Sequence, residues 1–241
     1  MKGLLYKELV TQKLAIHMLA AATFFYGFAG NILFALEISL DETQSVSDVR
    51  GMCMVAAFAV FFIFSMVIPE FFKKDEKGSW SSFAISSPQG AKGQIQSKYI
   101  IILIINLAIL FTLFVADCII VAIVGDMAAS NLTIYMIIFC SMLAINAVEM
   151  PFYVRFGSSK GGNVKAAIIS VVIIALMIYA LFGDLTIFTG ENPIESIYNF
   201  FVEGKTIWIV ALLPFVAIVL YVASYNISLR LYQKGVESYE E

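Results

Sequence analysis

A chain of 241 residues with 61% hydrophobic side chains, 14% charged ones and a mean hydropathy of +0.89 is too apolar for a water-soluble fold. The formal charge of -3 is small and its acids and bases are scattered, which excludes a basic nucleic-acid surface and a strongly charged face for a soluble partner. Lipid is the main solvent, and because the apolar runs show no two-residue alternation the expected fold class is all-α integral membrane and not a barrel.

Residues 2–13 mix Leu4, Leu5 and Leu9 with Lys2, Lys7 and Lys13, a pattern that fits a short helix in the inner interface or the frayed start of the first span. The apolar run behind them passes Ala20, Ala21 and Ala22 and continues through Phe24, Phe25 and Phe28 to Leu36. That is longer than a cleavable signal core, so the segment is expected to be retained. Runs long enough to cross about 30 Å of hydrocarbon lie near 14–38, 51–68, 99–124, 132–154, 163–183 and 206–230, which predicts six transmembrane helices.

The segment between the second and third spans, 70–98, is the longest loop and carries aromatic residues among polar ones. Trp80, Phe83 and Ala84 fall at i, i+3 and i+4, so behind a cap at Asp75 or Ser79 they share one face of a short helix ending before Pro88. Such a face wants a partner. The plainer alternative is that Trp80 and Phe83 anchor in the headgroup region. Ahead of the sixth span, Asn192, Pro193 and Glu195 supply a cap, a first-turn proline and an N3 carboxylate. Ile194, Ile197, Tyr198 and Phe201 then complete an amphipathic helix, read as interfacial, re-entrant or a lid.

Thirteen of the fifteen Lys and Arg residues fall on one side of these spans, leaving only Arg50 and Lys205 opposite. By the positive-inside rule the lysine-rich side is cytoplasmic, with both termini inside. Asp41, Glu42, Asp48, Asp126, Asp184, Glu191, Glu195 and Glu203 collect on the other side.

Chemistry is scarce. His17 has no neighbouring ligand cluster, and Cys53, Cys118 and Cys140 each sit alone in an apolar run. Gly204, Lys205 and Thr206 imitate the end of a phosphate-binding loop, but Asn199 stands where a glycine is required and the segment faces outward. The chain is therefore expected to be non-catalytic, with no cofactor or metal of its own. Two acids lie within spans, Asp117 in the third and Glu149 in the fourth, and both are candidates for a substrate or ion pathway because a charge in lipid is costly. Their depths differ by roughly 15–20 Å at 1.5 Å per residue, so they form no dyad. A structural alternative for Glu149 is an interfacial contact near Arg155. Pro151 and Pro214 are candidate kinks.

The series Met1-Lys2-Gly3-Leu4-Leu5-Tyr6-Lys7-Glu8-Leu9 before the first span is followed by Asp75-Glu76-Lys77, Trp80, Phe83, Ser86-Ser87-Pro88 and Lys98-Tyr99 leading into the third. With this order of features the chain resembles the ABC-2-type transporter permeases, and within them it looks most like permeases of bacterial exporters for phenol-soluble modulins and related amphipathic peptides. The resemblance implies an interfacial N-terminal helix, a coupling helix in the second loop and a re-entrant element before the sixth span. It also implies a bacterial plasma-membrane location, pairing with a second permease copy, and a separate ATP-binding subunit that holds the ATP and Mg²⁺. Carried over, Glu76, Lys77, Trp80, Phe83 and Ser86 would meet that subunit, and the fourth loop, 155–165, would be a smaller second contact. Two rivals remain: a stand-alone ion-coupled transporter using Asp117 or Glu149, and a membrane scaffold or immunity protein.

Overall fold

The computed structural model describes residues 2–40, 46–77, 90–125, 130–182 and 207–237. Every element among them is helical: α1 (Lys2–Thr11), α2 (Lys13–Ala22), a π-helical segment (Thr23–Gly30), α3 (Asn31–Leu40), α4 (Val46–Lys77), α5 (Gly90–Val124), α6 (Leu132–Phe182) and α7 (Ile207–Glu237). Among the described residues five stretches are long and apolar enough to cross a membrane: Lys13–Leu33, Gly51–Asp75, Lys92–Val124, Leu132–Val171 and Ala211–Gln233.

The sequence offered six runs, and the difference lies in α6. Its chain breaks at Gly157, where φ is 78° and ψ is 177°, a region open essentially to glycine alone. Glu149 and Lys165, equally far on either side of the break, make an ion pair at 3.1 Å. A straight helix would hold them about 24 Å apart. The two arms of α6 therefore fold back on each other as a hairpin, and the expected fourth and fifth runs lie one on each arm. The helix continues through Pro151, so the turn falls at the glycine and not at the proline.

Helix ends also depart from the apolar boundaries. The second run was expected to end near residue 68 and the third to begin at 99, yet α4 continues to Lys77 and α5 already starts at Gly90. Hydropathy marks where lipid ends, whereas a helix persists as long as its backbone ladder and side-chain partners hold. The 70–98 loop shrinks accordingly to the 78–89 segment. Asp75, read as a possible cap, is instead inside α4 with its carboxylate engaged by lysines. At the other end of the chain α7 runs past the expected limit of 230 to Glu237.

At the N-terminus the interfacial-helix and frayed-start readings separate. A turn at Gln12 (φ -99°, ψ 14°) divides α1 from α2, so α1 is a helix in its own right. It turns Glu8 inward, 1% exposed, and leaves Tyr6, Leu9 and Val10 on the outside.

Within the first span the π-helical segment was not foreseen. Side chains support both ends of this register change: Thr23 Oγ donates to Leu19 O and Asn31 Nδ2 to Gly27 O, each at 2.9 Å. Gly27 faces α5 so closely that a Cβ there would stand 3.1 Å from Leu113 Cδ2.

The core is built by α4, α5 and the first arm of α6, with Phe61, Phe64, Ile68, Ile102, Leu113, Tyr135, Leu143 and Met150 fully enclosed. Large apolar side chains on the outer faces, such as Phe58 on α4, Phe111 on α5 and Phe215 on α7, stay exposed. In hydrocarbon that exposure costs nothing, because lipid tails are as apolar as leucine.

Candidate functional site

A charged junction forms where the polar extensions of α4 and α5 meet α1. Lys98 of α5 is 2% exposed, and its ammonium lies 2.7 Å from Asp75 Oδ2 and 3.4 Å from Glu8 Oε1. It also donates to Phe71 O and sits 4.9 Å over the centre of the Phe72 ring. Lys7 pairs with Asp75 and, at 3.1 Å, with Glu8. Two cations thus balance two carboxylates, which burial in a dry site demands.

Further hydrogen bonds extend this network. Tyr232 of α7 donates to Gln94 Oε1 at 2.8 Å, and Gln94 Nε2 lies 3.5 Å from Asp75 Oδ2. Gln12 Nε2 donates to Glu70 O at 2.8 Å and Lys74 to Thr11 O, so the C-terminal end of α1 and the turn after it are stitched to α4 beside the charges. The junction joins α1, α4, α5 and α7, and it grips both flanks of the 78–89 segment. A buried ion cluster is a weak source of stability but holds one arrangement of helices against others.

Glu76 and Lys77 close the last turn of α4. Trp80, Phe83 and Ser86, the other residues assigned to partner contact, lie outside the described residues, as does the amphipathic segment 192–201. The residues that form the junction were missed as a group because Lys7 was read with the N-terminal helix, Asp75 as a cap and Lys98 as a loop charge, each apart from the others. A signal existed: Lys98 falls in register with the buried Ile95, Ile102, Ile109 and Leu113, so it occupies an apolar stripe of α5.

A second ion pair closes the α6 hairpin. Lys165 meets Glu149 Oε2 at 3.1 Å and donates to Ser65 O at 2.7 Å and Ser65 Oγ at 2.6 Å, tying both arms to α4. Glu149 therefore finds its partner across the hairpin, while Arg155 remains exposed. Asp117 lies at the opposite end of the bundle. Its Oδ2 accepts from Ser130 Oγ and its Oδ1 from the Asn131 backbone N–H, both at 2.7 Å. From Asn131 to Glu149 along α6 is about 27 Å, farther than the sequence estimate, so the two acids are separate sites.

Asp117 caps the start of α6 from a neighbouring helix, satisfying an N–H that has no partner within its own helix. Asp117→Asn is expected to cost about 1 kcal/mol, the worth of a weakened charged acceptor, and to leave transport intact. Transport measured in membrane vesicles checks this, and loss of transport with normal insertion would mark Asp117 as an ion carrier.

On the far side of α5, Tyr99 OH lies 2.7 Å from Ser224 Oγ and 2.7 Å from Ser228 Oγ, and Tyr221 OH donates to Tyr99 O at 2.8 Å. These bonds seat α7 against α5. Among the described residues no group of three or more His, Cys, Asp or Glu converges as a metal site.

Long apolar helices and an outward apolar surface define a multi-pass helical membrane protein. The family profile described as ABC-2 family transporter protein matches residues 3–233, and the chain belongs to that family. No curated protein and no solved structure gives a significant match.

Proposed function

We propose that this chain is the permease subunit of an ABC exporter, without catalytic chemistry of its own. Two six-helix copies, each with both termini in the cytoplasm of a bacterial cell, pair in the plasma membrane. Separate ATP-binding subunits supply ATP and Mg²⁺ and drive alternating access, moving a peptide or amphiphile outward. The observation that carries this reading, beyond family membership, is the charged junction. It anchors both ends of the 78–89 segment to four helices, so a displacement of that segment is delivered to the bundle and not absorbed in a slack loop. Against an ion-coupled mechanism stands the engagement of both intramembrane acids, Asp117 by Ser130 and Asn131, Glu149 by Lys165.

The test is to purify the tagged chain from its native membrane, identify what accompanies it and assay ATP hydrolysis. A P-loop subunit with ATPase activity is expected. The Trp80→Ala, Phe83→Ala double variant removes both aromatic anchors and is expected to weaken subunit retention by roughly thirty-fold or more. Normal assembly and transport in that variant would take the segment out of the mechanism.

A further inference from the structure

Phe72 and Tyr153 occupy an unusual place between the two ion pairs. Both are buried, at 7% and 1% exposure, and their rings stack at 5.4 Å between centroids with 23° between planes. On the α5 side, Phe72 carries the Lys98 ammonium. On the hairpin side, Tyr153 lies so close to Gly161 that a Cβ there would stand 2.6 Å from Tyr153 Cδ1 and 3.2 Å from its Cα. The Tyr153 hydroxyl has no hydrogen-bond partner among the described residues, so ring contacts alone hold this side chain.

We propose that Lys98, Phe72, Tyr153 and Gly161 form a mechanical relay that makes the α4–α5 junction and the Gly157 hairpin move as one body. Phe72 belongs to α4, Lys98 to α5, and Tyr153 and Gly161 to the two arms of α6. Lys165 ties the arms to α4 farther from the turn, whereas the ring stack reaches the junction itself. Close-packed contacts of this kind pass on a rigid-body shift because they have no slack. The inference rests on the permease reading for its purpose: the segment 78–89 and the hairpin tip are the two places where a cytoplasmic motor would push. A permease joined in this way receives one displacement and not two independent ones. Phe72, Tyr153 and Gly161 are positioning residues, acting through the junction and touching no cargo.

The experiment measures the distance between spin labels on the full chain in nanodiscs, at the exposed positions Lys92→Cys and Ser159→Cys in a Cys118→Ser background; Cys53 and Cys140 are enclosed. The parent chain is expected to give one narrow distance distribution. Gly161→Ala, which forces the Tyr153 ring aside, and Phe72→Leu, which removes the stack, each broaden or shift it. Tyr153→Phe keeps the ring and loses only an unbonded hydroxyl, so it retains the parent distribution. If Gly161→Ala and Phe72→Leu both leave the distribution unchanged, or if Tyr153→Phe disturbs it as they do, the relay is overturned.

This readout needs no ATPase, so it stands apart from the fate of the permease reading. With an ATP-binding partner recovered, the same two disruptive variants are expected to lower cargo moved per ATP hydrolysed by roughly two- to thirty-fold while hydrolysis continues. Equal loss of transport and hydrolysis would mark a folding defect and count against the relay.

Discussion

Replacing Lys98 by methionine lowers the stability of the chain by about 3 kcal/mol, the cost of leaving two buried carboxylates with one cation between them. Glu8 and Asp75 are 1% and 7% exposed, and Lys7, which already contacts both, carries one charge and cannot balance two carboxylates. The stem of methionine preserves the packing on Phe72, so the loss reports charge and not volume. Unfolding followed with a thiol-reactive dye reads this directly, since Cys53 and Cys140 are enclosed until the bundle opens. Adding Glu8→Gln to Lys98→Met removes the surplus carboxylate and leaves Lys7 paired with Asp75, which is expected to restore most of the loss. An unchanged unfolding temperature in the single variant means that the carboxylates are hydrated and the junction is not a closed ion cluster.

Lys165→Ala has a comparable effect, about 3–5 kcal/mol, for a different structural reason. The substitution strands Glu149 at 5% exposure, empties the bond to Ser65 and releases the two arms of the α6 hairpin from α4. Glu149→Gln alone is milder, because an amide still accepts from Lys165. The double variant Glu149→Gln, Lys165→Met is milder than Lys165→Ala, since no unpaired carboxylate remains. The same dye assay ranks the three. Should Lys165→Ala be no worse than the double variant, Glu149 is not held as a buried anion.

Much of the fold was legible along the chain because hydrocarbon imposes a length rule on every span. The apolar runs overlap all five candidate spans among the described residues, and Lys7, Lys74, Lys98 and Lys165 all bind the C-terminal half of α4 or its neighbours. Hydropathy could not locate helix ends, because α4 and α5 continue through polar residues that packing and ion pairing protect. Nor could it show that Gly157 turns the chain, since a glycine in the left-handed half of backbone space looks the same in sequence as one inside a helix. Asp117 and Glu149 stood out as isolated charges, but their partners Asn131 and Lys165 were invisible as partners, one being a backbone N–H and the other a lysine read as loop.

By itself the sequence determined that this is a helical membrane protein, because that property follows from solvent transfer energies summed along a chain. Tertiary structure decided that Glu8, Asp75 and Lys98 form one buried cluster, that Lys165 closes the hairpin, and that Phe72 and Tyr153 bridge the two. Such contacts join residues distant in sequence, and their energies exist only once the helices have packed and excluded water.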